Sequence, residues 1–268
     1  MTVATIRKPF FVLPLDLGTM VASAADTGYP VFNLNRHKAI GLTWQAKATG
    51  GCWARGALPA QASIDFCAIV SANAQLGTTY RLRLGASQAD VDGSSAPYDS
   101  GVLPFINPAI VRDDGLYHSH LELPAAQAAT YWRIDIGGHA GSFQAASLVL
   151  GSKIEPSRYY NFDWEYGVKD LGDLNLTAWG VADETPGLIW RNISFTLGWQ
   201  TEAEFEASFR PMQERLGRRG VVFCAFDPEP TAYRQARTYM GFFDKAPFAK
   251  GIRKPRTFTQ DFVLNSMI

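Results

Sequence analysis

Two histidines two residues apart, His118 and His120, are the residues whose types and spacing first indicate chemistry in this chain. Alternate positions on a β-strand share a face, so both imidazoles would point toward one metal ion. A third ligand would come from the carboxylates nearest in sequence, Asp113, Asp114 or Glu122. The competing interpretation is a pair of polar aromatic side chains at an exposed strand end, and on balance we predict no metal centre.

An acidic spacing over Asp90, Asp92 and Gly93, with Asp99 nearby, resembles half of a calcium-binding loop. An EF-hand also needs oxygens at further fixed offsets and a bidentate glutamate at the end of its loop, and that glutamate is missing. Asp, Gly and Ser together are also typical of a turn between strands. We therefore expect a turn, with Asp90 and Asp92 kept as candidate calcium ligands.

The usual catalytic motifs are missing from the sequence. It contains no G-x-S-x-G nucleophile motif, and the glycine-rich run at residues 137–141 lacks the helix and lysine of a phosphate-binding loop. Glycosidases use paired carboxylates, and Asp163/Glu165 and Asp183/Glu184 meet that requirement by spacing alone. Asp163 and Glu165 alternate with apolar residues, however, which is the pattern of a solvated strand face. We predict no catalytic residues, no cofactor and no enzymatic activity.

Composition argues against several classes of function. The 25 basic and 25 acidic residues give a formal net charge of zero, which removes the usual electrostatic case for binding nucleic acid. No stretch approaches the roughly 20 apolar residues of a membrane-spanning helix, and the short N-terminal apolar run does not resemble a signal peptide. Cys52, Cys67 and Cys224 are too scattered for a disulfide framework. We expect a chain that folds in a reducing cytoplasm.

Aromatic residues are the remaining candidates for ligand binding, and the sequence contains 7 Trp, 10 Tyr and 17 Phe. Exposed Trp and Tyr rings at the rim of a β-sandwich can stack on sugar rings. The candidates for such carbohydrate contacts are Tyr29, Trp53, Tyr98 and Tyr117. Burial in the core or at a subunit interface is the competing interpretation for most aromatic residues.

The N-terminal half of the chain predicts the elements that would position these residues. Residues 1–14 indicate an arm or a first strand. Residues 15–151 carry short strand patterns between turns rich in Gly, Asp and Ser, without a convincing helical period. Many short strands joined by polar turns indicate a β-sandwich.

Residues 152–268 predict a second β module with one packed helix. Asn161 to Val168 alternates strictly, so its aromatic residues share a face that needs a partner sheet. Residues 202–216 carry a narrow apolar helical stripe, and Thr201 is a suitable N-cap. The stripe consists of Phe205, Phe209, Met212 and Leu216. Strand patterns over 221–226 and 258–264 complete a small β-barrel.

A family resemblance supports the sandwich. Residues 29–34, YPVFNL, are followed ten residues on by Trp44, which is similar to the opening of a galactose-binding-like jelly roll. Residues 131–138, YWRIDIGG, with 148–151, LVLG, resemble its final strands. In this stretch Trp132, Ile134 and Ile136 alternate with polar residues, so one face is core and the other solvated. The resemblance implies a mainly β chain that begins with such a domain.

The second module resembles another family. Its order of a Trp/Phe-rich strand, an EAEFEASF helix, an apolar strand, a DPEP turn and an FTQDF strand is similar to the distal-tail and minor tail proteins of long-tailed bacteriophages. In that family a small barrel with one helix builds a ring at the tail tip or baseplate. Some relatives bind an iron–sulfur cluster through cysteines, which three scattered cysteines do not support here.

Two functional hypotheses follow. The first is a structural virion protein, made in the host cytoplasm, that forms a ring with copies of itself and contacts other tail-tip proteins. Its predicted assembly contacts are Asp244, Arg253, Lys254 and Arg256. The alternative is a carbohydrate-binding module that recognises bacterial surface glycans, as part of a hydrolase or alone. The two are compatible, because a tail-tip sandwich can also bind a host glycan.

Overall fold

The computed structural model describes residues 7–47, 51–251 and 254–268. The chain divides into two compact units. Unit 1 contains the described part of Met1–Ile154 together with Phe223–Thr238, and unit 2 contains Glu155–Val222 and Tyr239–Ile268. The first stretch of unit 1 ends at Ile154, where 151 was predicted, and unit 2 is interrupted by residues 223–238. Residues 223–238 belong to unit 1 because Phe223, Cys224 and Ala225 pair with the N-terminal strand Phe10–Val12.

Long antiparallel strands form most of unit 1. Its strands are β1 Phe10–Val12, β2 Thr19–Ala22, β3 Trp44–Lys47, β4 Cys52–Ala72, β5 Thr79–Gly85, β6 Tyr98–Asp99, β7 Leu103–Pro104, β8 Leu121–Gly137, β9 Ser142–Gly151 and β10 Lys153–Ile154. A 3-10 helix spans Val31–Asn35, and helix α1 spans Gln88–Asp92. The main sheet has the order β3-β9-β4-β8-β5-β6, with β2 on β4 and β7 on β5.

The 21-residue strand β4 organises this sheet. Its first half pairs with β8 from Cys52↔Ile136 to Ala57↔Tyr131, and its second half pairs with β9 from Phe66 onward. Register shifts follow Ala57, where the two halves meet. Irregularities of this kind bend a strand, so that one long strand can take part in both layers of a sandwich.

The core between the layers follows the predicted period of two. Trp132, Ile134 and Ile136 on β8 are buried, whereas Arg133 and Asp135 point outward. Trp44 and Phe105 each meet Phe143 edge to face in the core, with ring centroids 6.0 Å apart in both pairs. Aromatic pairs in this geometry add about 0.5–1.5 kcal/mol beyond the burial of their area. The mainly β sandwich class predicted from the sequence is confirmed.

Unit 2 is a second antiparallel sheet. The strands after β10 are β11 Glu165–Asp170, β12 Asp173–Leu176, β13 Ala182–Thr185, β14 Ile189–Thr201, β15 Val222–Ala225, β16 Thr238–Phe243, β17 Ala249–Gly251 and β18 Thr257–Ser266. Within unit 2 the order is β16-β18-β14-β11, with β17 on β18, and β12 and β13 pair only with each other among the described residues. The longest pairing in this sheet joins β14 and β18, from Arg191↔Ser266 to Thr201↔Thr257.

One helix packs on this sheet, as predicted for residues 202–216. It consists of α2 Glu202–Glu204, a π-helical turn Phe205–Phe209 and α3 Arg210–Leu216. The Thr201 side chain accepts a hydrogen bond from the Glu204 N–H and so caps the helix. Phe205 stacks on Phe258 at 4.8 Å, and Phe209 meets Phe262 at 6.3 Å. The four residues of the apolar stripe are all buried.

Replacing Phe209 by alanine tests this packing. Phe209 is fully buried, so the substitution leaves a cavity under the helix and should cost about 3–5 kcal/mol of unfolding free energy. Urea denaturation measures the loss. Glu214→Ala, on the exposed side of the same helix, is the matched control and should change stability little. Equal effects of the two substitutions would contradict the packing described here.

Candidate functional site

The histidine pair predicted on an exposed strand face lies in the interior of unit 1 and precedes β8. His118 is 3% exposed, and its Nδ1 accepts a hydrogen bond from the Ser71 N–H at 3.0 Å. Its backbone is held at both ends by the Gln235 amide, at 2.8 and 2.7 Å. His120 packs against the rings of Phe10 and Phe66. The predicted exposed position is wrong, because partners distant in sequence bury both rings.

No metal cluster accompanies the histidines. Over residues 7–47, 51–251 and 254–268, no group of three or more His, Cys, Asp or Glu side chains is placed to hold a metal ion. Glu122, the nearest carboxylate to His120, accepts a hydrogen bond from its Nε2 at 3.0 Å. Glu122 also accepts bonds from Lys153 at 2.8 Å and Arg7 at 2.5 Å. The carboxylate is thus occupied by three donors.

These donors set the titration of Glu122. Burial alone would raise its pKa, but the bonds from His120, Lys153 and Arg7 outweigh burial and hold the pKa of Glu122 well below its usual range. Burial likewise lowers the pKa of His120, against the opposing effect of Glu122. The three donors therefore stabilise Glu122 as a charged carboxylate inside unit 1.

The acidic turn is not a calcium loop either. The Asp90 carboxylate accepts the N–H groups of Ala86 and Ser87 and closes a capping box at the start of α1. Asp92, at the end of the same helix, pairs with Arg55 and Arg133. The two carboxylates have separate partners, so these candidate calcium ligands are not gathered into one site, and they lie in a short helix where a turn was expected.

Asp92 belongs to a charged surface on the outer side of the sandwich. Arg55, Arg133 and Arg83 stand in register across β4, β8 and β5. Like charges side by side on a sheet repel one another, and Asp92 and Asp135 compensate them. Arg133 contacts both carboxylates at 2.8 Å, and Arg83 bonds Asp135 at 2.7 Å. We call these five residues, with Trp53, the arginine–aspartate face.

Trp53 is the one aromatic residue of that face. It stands directly opposite Asp135, and the guanidinium carbons of Arg55 and Arg133 lie 5.1 and 4.6 Å from its ring centroid. These distances are typical of cation–π contacts. The adjacent cavity between Arg55, Gln88 and Tyr131 has a volume of about 70 Å³, which is small beside the roughly 300–1,000 Å³ of drug-sized ligand pockets. A ligand of the arginine–aspartate face would therefore bind on its open surface rather than inside this cavity.

The other predicted sugar-contacting residues have different surroundings. Tyr29 is 42% exposed in the loop before the 3-10 helix. Tyr98 on β6 is half-buried against the core, and burial raises its pKa. Tyr117 is 7% exposed and its hydroxyl accepts the Arg112 N–H, so the expectation of a surface contact at Tyr117 is wrong. Trp53 and Tyr29 remain the candidates with accessible rings.

Unit 2 carries a surface of a different kind, a long hairpin that we call the arm, residues 161–188. Its strands β11, β12 and β13 are exposed along their whole length. Phe162 is 102% exposed and Trp179 is 91% exposed. Other exposed apolar side chains of the arm are Tyr166, Val168, Leu171, Leu174, Leu176, Val181 and Leu188. Contiguous apolar exposure on this scale marks an interaction surface.

The arm is continuous with the sheet. Strand β11 pairs with β14 up to Asp170↔Ile189, and the hairpin then continues through β12 and β13 to a turn in which Thr177 and Val181 pair. The two strands of the hairpin pass very close to each other between the β11–β14 pair and the β12–β13 pair. A Cβ at Gly187 would lie 2.0 Å from the Gly172 N, so glycine is required at this crossing. The predicted strand at residues 161–168 begins later, at Glu165, and pairs with β14.

A concavity of about 440 Å³ lies on the arm beside this crossing. Asp170, Asp173 and Glu184 supply carboxylates to its wall, and Leu174 and Ile189 supply apolar surface. A site of this composition suits a long cationic side chain, whose methylene groups and charged end need different surroundings.

The predicted assembly contacts that the structure describes also belong to unit 2. Asp244 pairs with Lys169 at 2.6 Å and accepts a bond from Asn265, and these bonds, the one from Lys169 first, lower its pKa. Arg256 is highly exposed and lies 3.4 Å from Glu202. Lys254 is exposed. Arg253 lies outside the described residues.

Comparisons with known proteins yield fold-level similarities only. No protein-family model matches the sequence, and no curated protein does. Chitosan-binding module 1 of a chitosanase/glucanase from Paenibacillus sp. IK-5 aligns at 12% identity and TM-score 0.38, covering 53% of this chain and 98% of the module. A fucose-binding module of Streptococcus pneumoniae aligns at 11% identity and TM-score 0.37, covering 52% and 95%.

A chain from the structure of reduced XRCC1 bound to the DNA pol beta catalytic domain also aligns, at 14% identity and TM-score 0.40, covering 53% of this chain and 98% of that one. Several similar structures are thus carbohydrate-binding modules with a β-sandwich. With TM-scores below 0.5, none of these alignments bears on what this chain binds. Within the described residues, no helix is long and apolar enough to cross a membrane.

Replacing Glu122 by glutamine tests the charge cluster around His120. The variant should lose roughly 1–3 kcal/mol at pH 7, because buried donors lose their charged acceptor. Since the folded-state pKa of Glu122 is depressed, the wild-type advantage is present above the ordinary glutamic acid pKa of about 4.3 and is lost as the pH falls further. Urea denaturation across this pH range measures both effects. Glu214→Gln, on an exposed glutamate, should show neither; a pH-independent difference would contradict the cluster's assigned role.

Proposed function

We propose that this chain is a non-catalytic structural subunit that assembles with copies of itself through the arm of unit 2. One observation carries the proposal: a hairpin whose strands are exposed along their length presents large apolar side chains. An isolated two-stranded hairpin is marginally stable in water, and three or more strands or a packed partner are needed. The arm therefore gains stability when another surface covers it.

The unpaired backbone groups of the arm also favour a second copy of this chain as the partner. Hairpin β12–β13 has two edges whose N–H and C=O groups are unpaired within the described sheet pattern. Exposed edges are templates for strand addition, which proteins otherwise block with bulges, prolines or charges. A second copy supplies both a strand edge and an apolar face, and repeated association of identical subunits produces a closed ring when the rotation between neighbours closes.

More specifically, we propose that the assembled subunits form part of the tail tip of a long-tailed phage. It rests on the order of elements in unit 2, with the helix packed on the β14–β18 sheet, and on the assembly role of the arm. No similar structure named above is described as a virion protein. Mass spectrometry of purified particles from the phage encoding this chain tests the setting: the protein should be present, and its absence would exclude a virion role.

Glycan binding by unit 1 is the second candidate. It is favoured by the arginine–aspartate face, where a half-buried Trp ring is surrounded by charged hydrogen-bonding groups on an open sheet surface. Aromatic rings combined with convergent polar groups are a composition that suits sugar recognition.

Shortening the arm should abolish assembly. We expect a variant with residues 173–185 replaced by an Asn-Gly turn to fold, because Asn-Gly closes a tight hairpin, and to remain monomeric. Analytical ultracentrifugation over a wide concentration range should find wild-type oligomers at multiples of 29.5 kDa and a single monomeric species for the variant. Phe162→Ser and Trp179→Ser should weaken association without affecting folding.

A matched substitution controls for loss of exposed apolar surface in general. Val111 is 80% exposed in unit 1, so Val111→Ser should leave assembly unchanged. If the wild-type protein stays monomeric at every concentration, or if the shortened arm assembles normally, the assembly proposal is wrong.

A glycan array probed with the full chain tests the second candidate. Binding should fall at least about tenfold, the equivalent of roughly 1.4 kcal/mol, when Trp53 is replaced by alanine. Trp179→Ala, which removes an exposed indole from the arm, should leave sugar binding intact. No bound glycan, or equal binding by Trp53→Ala and the wild type, would remove this candidate.

A further inference from the structure

The arm has a strong charge bias as well as apolar surface. Its six carboxylates are Asp163, Glu165, Asp170, Asp173, Asp183 and Glu184, against the single basic residue Lys169. Three of the carboxylates line the concavity beside the glycine crossing. In a chain with no net charge, this local excess requires a basic excess elsewhere.

Unit 2 contains a corresponding basic surface. At the C-terminal end of α3, Arg215, Arg218 and Arg219 are exposed, and Lys245, in the segment that follows β16, is exposed as well. We call these four residues the basic face. Lys250 and Arg256, farther along the chain, have local partners, Asp261 and Glu202.

Lys245 belongs to the same region as the C-terminal end of the helix. Asp244 immediately precedes Lys245, and the charge of Arg218 contributes, after the nearer Lys169 and Asn265, to lowering the pKa of Asp244. Asp244 also pairs with Lys169 of β11, which places this region at the root of the arm. The carboxylates Asp173, Asp183 and Glu184 lie farther along the hairpin, on β12 and β13.

Resting on the assembly role proposed above, we infer that the arm of one copy docks on the basic face of the next copy. The two surfaces are complementary in charge, and the concavity with Asp170, Asp173 and Glu184 accepts a lysine or arginine side chain of that face. Leu174 and Ile189 cover its methylene groups.

This pairing specifies the type of assembly. The arm and the basic face are different surfaces, so the interface is heterologous: each copy donates an arm and receives one. A heterologous interface generates a closed ring when its rotation closes, or a filament when it does not. A symmetric dimer formed by two arms would instead bring like charges together, which opposes association.

Complementary charge reversal tests the inference directly. The arm variant is Asp183→Lys/Glu184→Lys, and the face variant is Arg218→Glu/Arg219→Glu; all four side chains are exposed, so both variants should fold. Each variant alone should associate at least about tenfold more weakly than the wild type, because the interface then carries like charges. Asp113→Lys/Asp114→Lys, an adjacent acidic pair in unit 1, is the matched control and should associate normally.

Mixing the two variants gives the decisive experiment. In the mixture, the reversed arm meets the reversed face, and the unchanged arm of the face variant meets the unchanged face of the arm variant. Sedimentation velocity should therefore recover oligomers containing both variants in equal amounts. Association of the wild type should also weaken as salt concentration rises.

The outcomes separate this inference from the proposed function. A wild-type protein that never associates contradicts the assembly role itself. Wild-type association with normal association of both variants, or variants that remain apart when mixed, contradicts the arm-to-face pairing while self-assembly stands. Symmetric dimers that stop at two copies contradict the heterologous interface.

Discussion

The alternation of side chains along a β-strand means that every apolar strand face must be covered by something. In unit 1 the two layers of the sandwich cover each other, with Trp132, Ile134 and Ile136 of β8 facing the rings of the opposite layer. In unit 2 the helix covers the β14–β18 sheet through Phe205 and Phe209. The arm, by contrast, exposes large apolar side chains such as Phe162 and Trp179. The proposed function depends on this difference.

The two exposed surfaces of the molecule are physically distinct. On the arginine–aspartate face, each guanidinium has a carboxylate partner, so the charges stabilise the folded sheet and leave Trp53 as the accessible apolar group. On the arm, six carboxylates accompany a single basic residue, and large apolar side chains are exposed beside them. The first surface suits recognition of a small polar ligand, and the second suits burial against a large complementary partner.

Local patterns predicted the features that depend on neighbouring residues. The β8 alternation and the helix at residues 202–216, with its Thr201 cap, follow from periods of two and 3.6 and are observed as predicted. The failures involve distant residues. His118 is buried by hydrogen bonds with Gln235, 117 positions away, and Phe223–Thr238 joins unit 1 through pairing with β1. Strand spacing cannot supply such partners. The arm was foreseen only as an apolar face in need of a sheet.

Hydrogen–deuterium exchange at low and high protein concentration tests the central claim most directly, because it locates the surface that becomes covered. Amides of β12 and β13 should exchange rapidly in the monomer and become protected as the concentration rises, together with residues 215–219 and 244–251 that contain the basic face. Protection of another part of unit 2, with the arm still exchanging at the monomer rate in the assembled protein, would contradict the account.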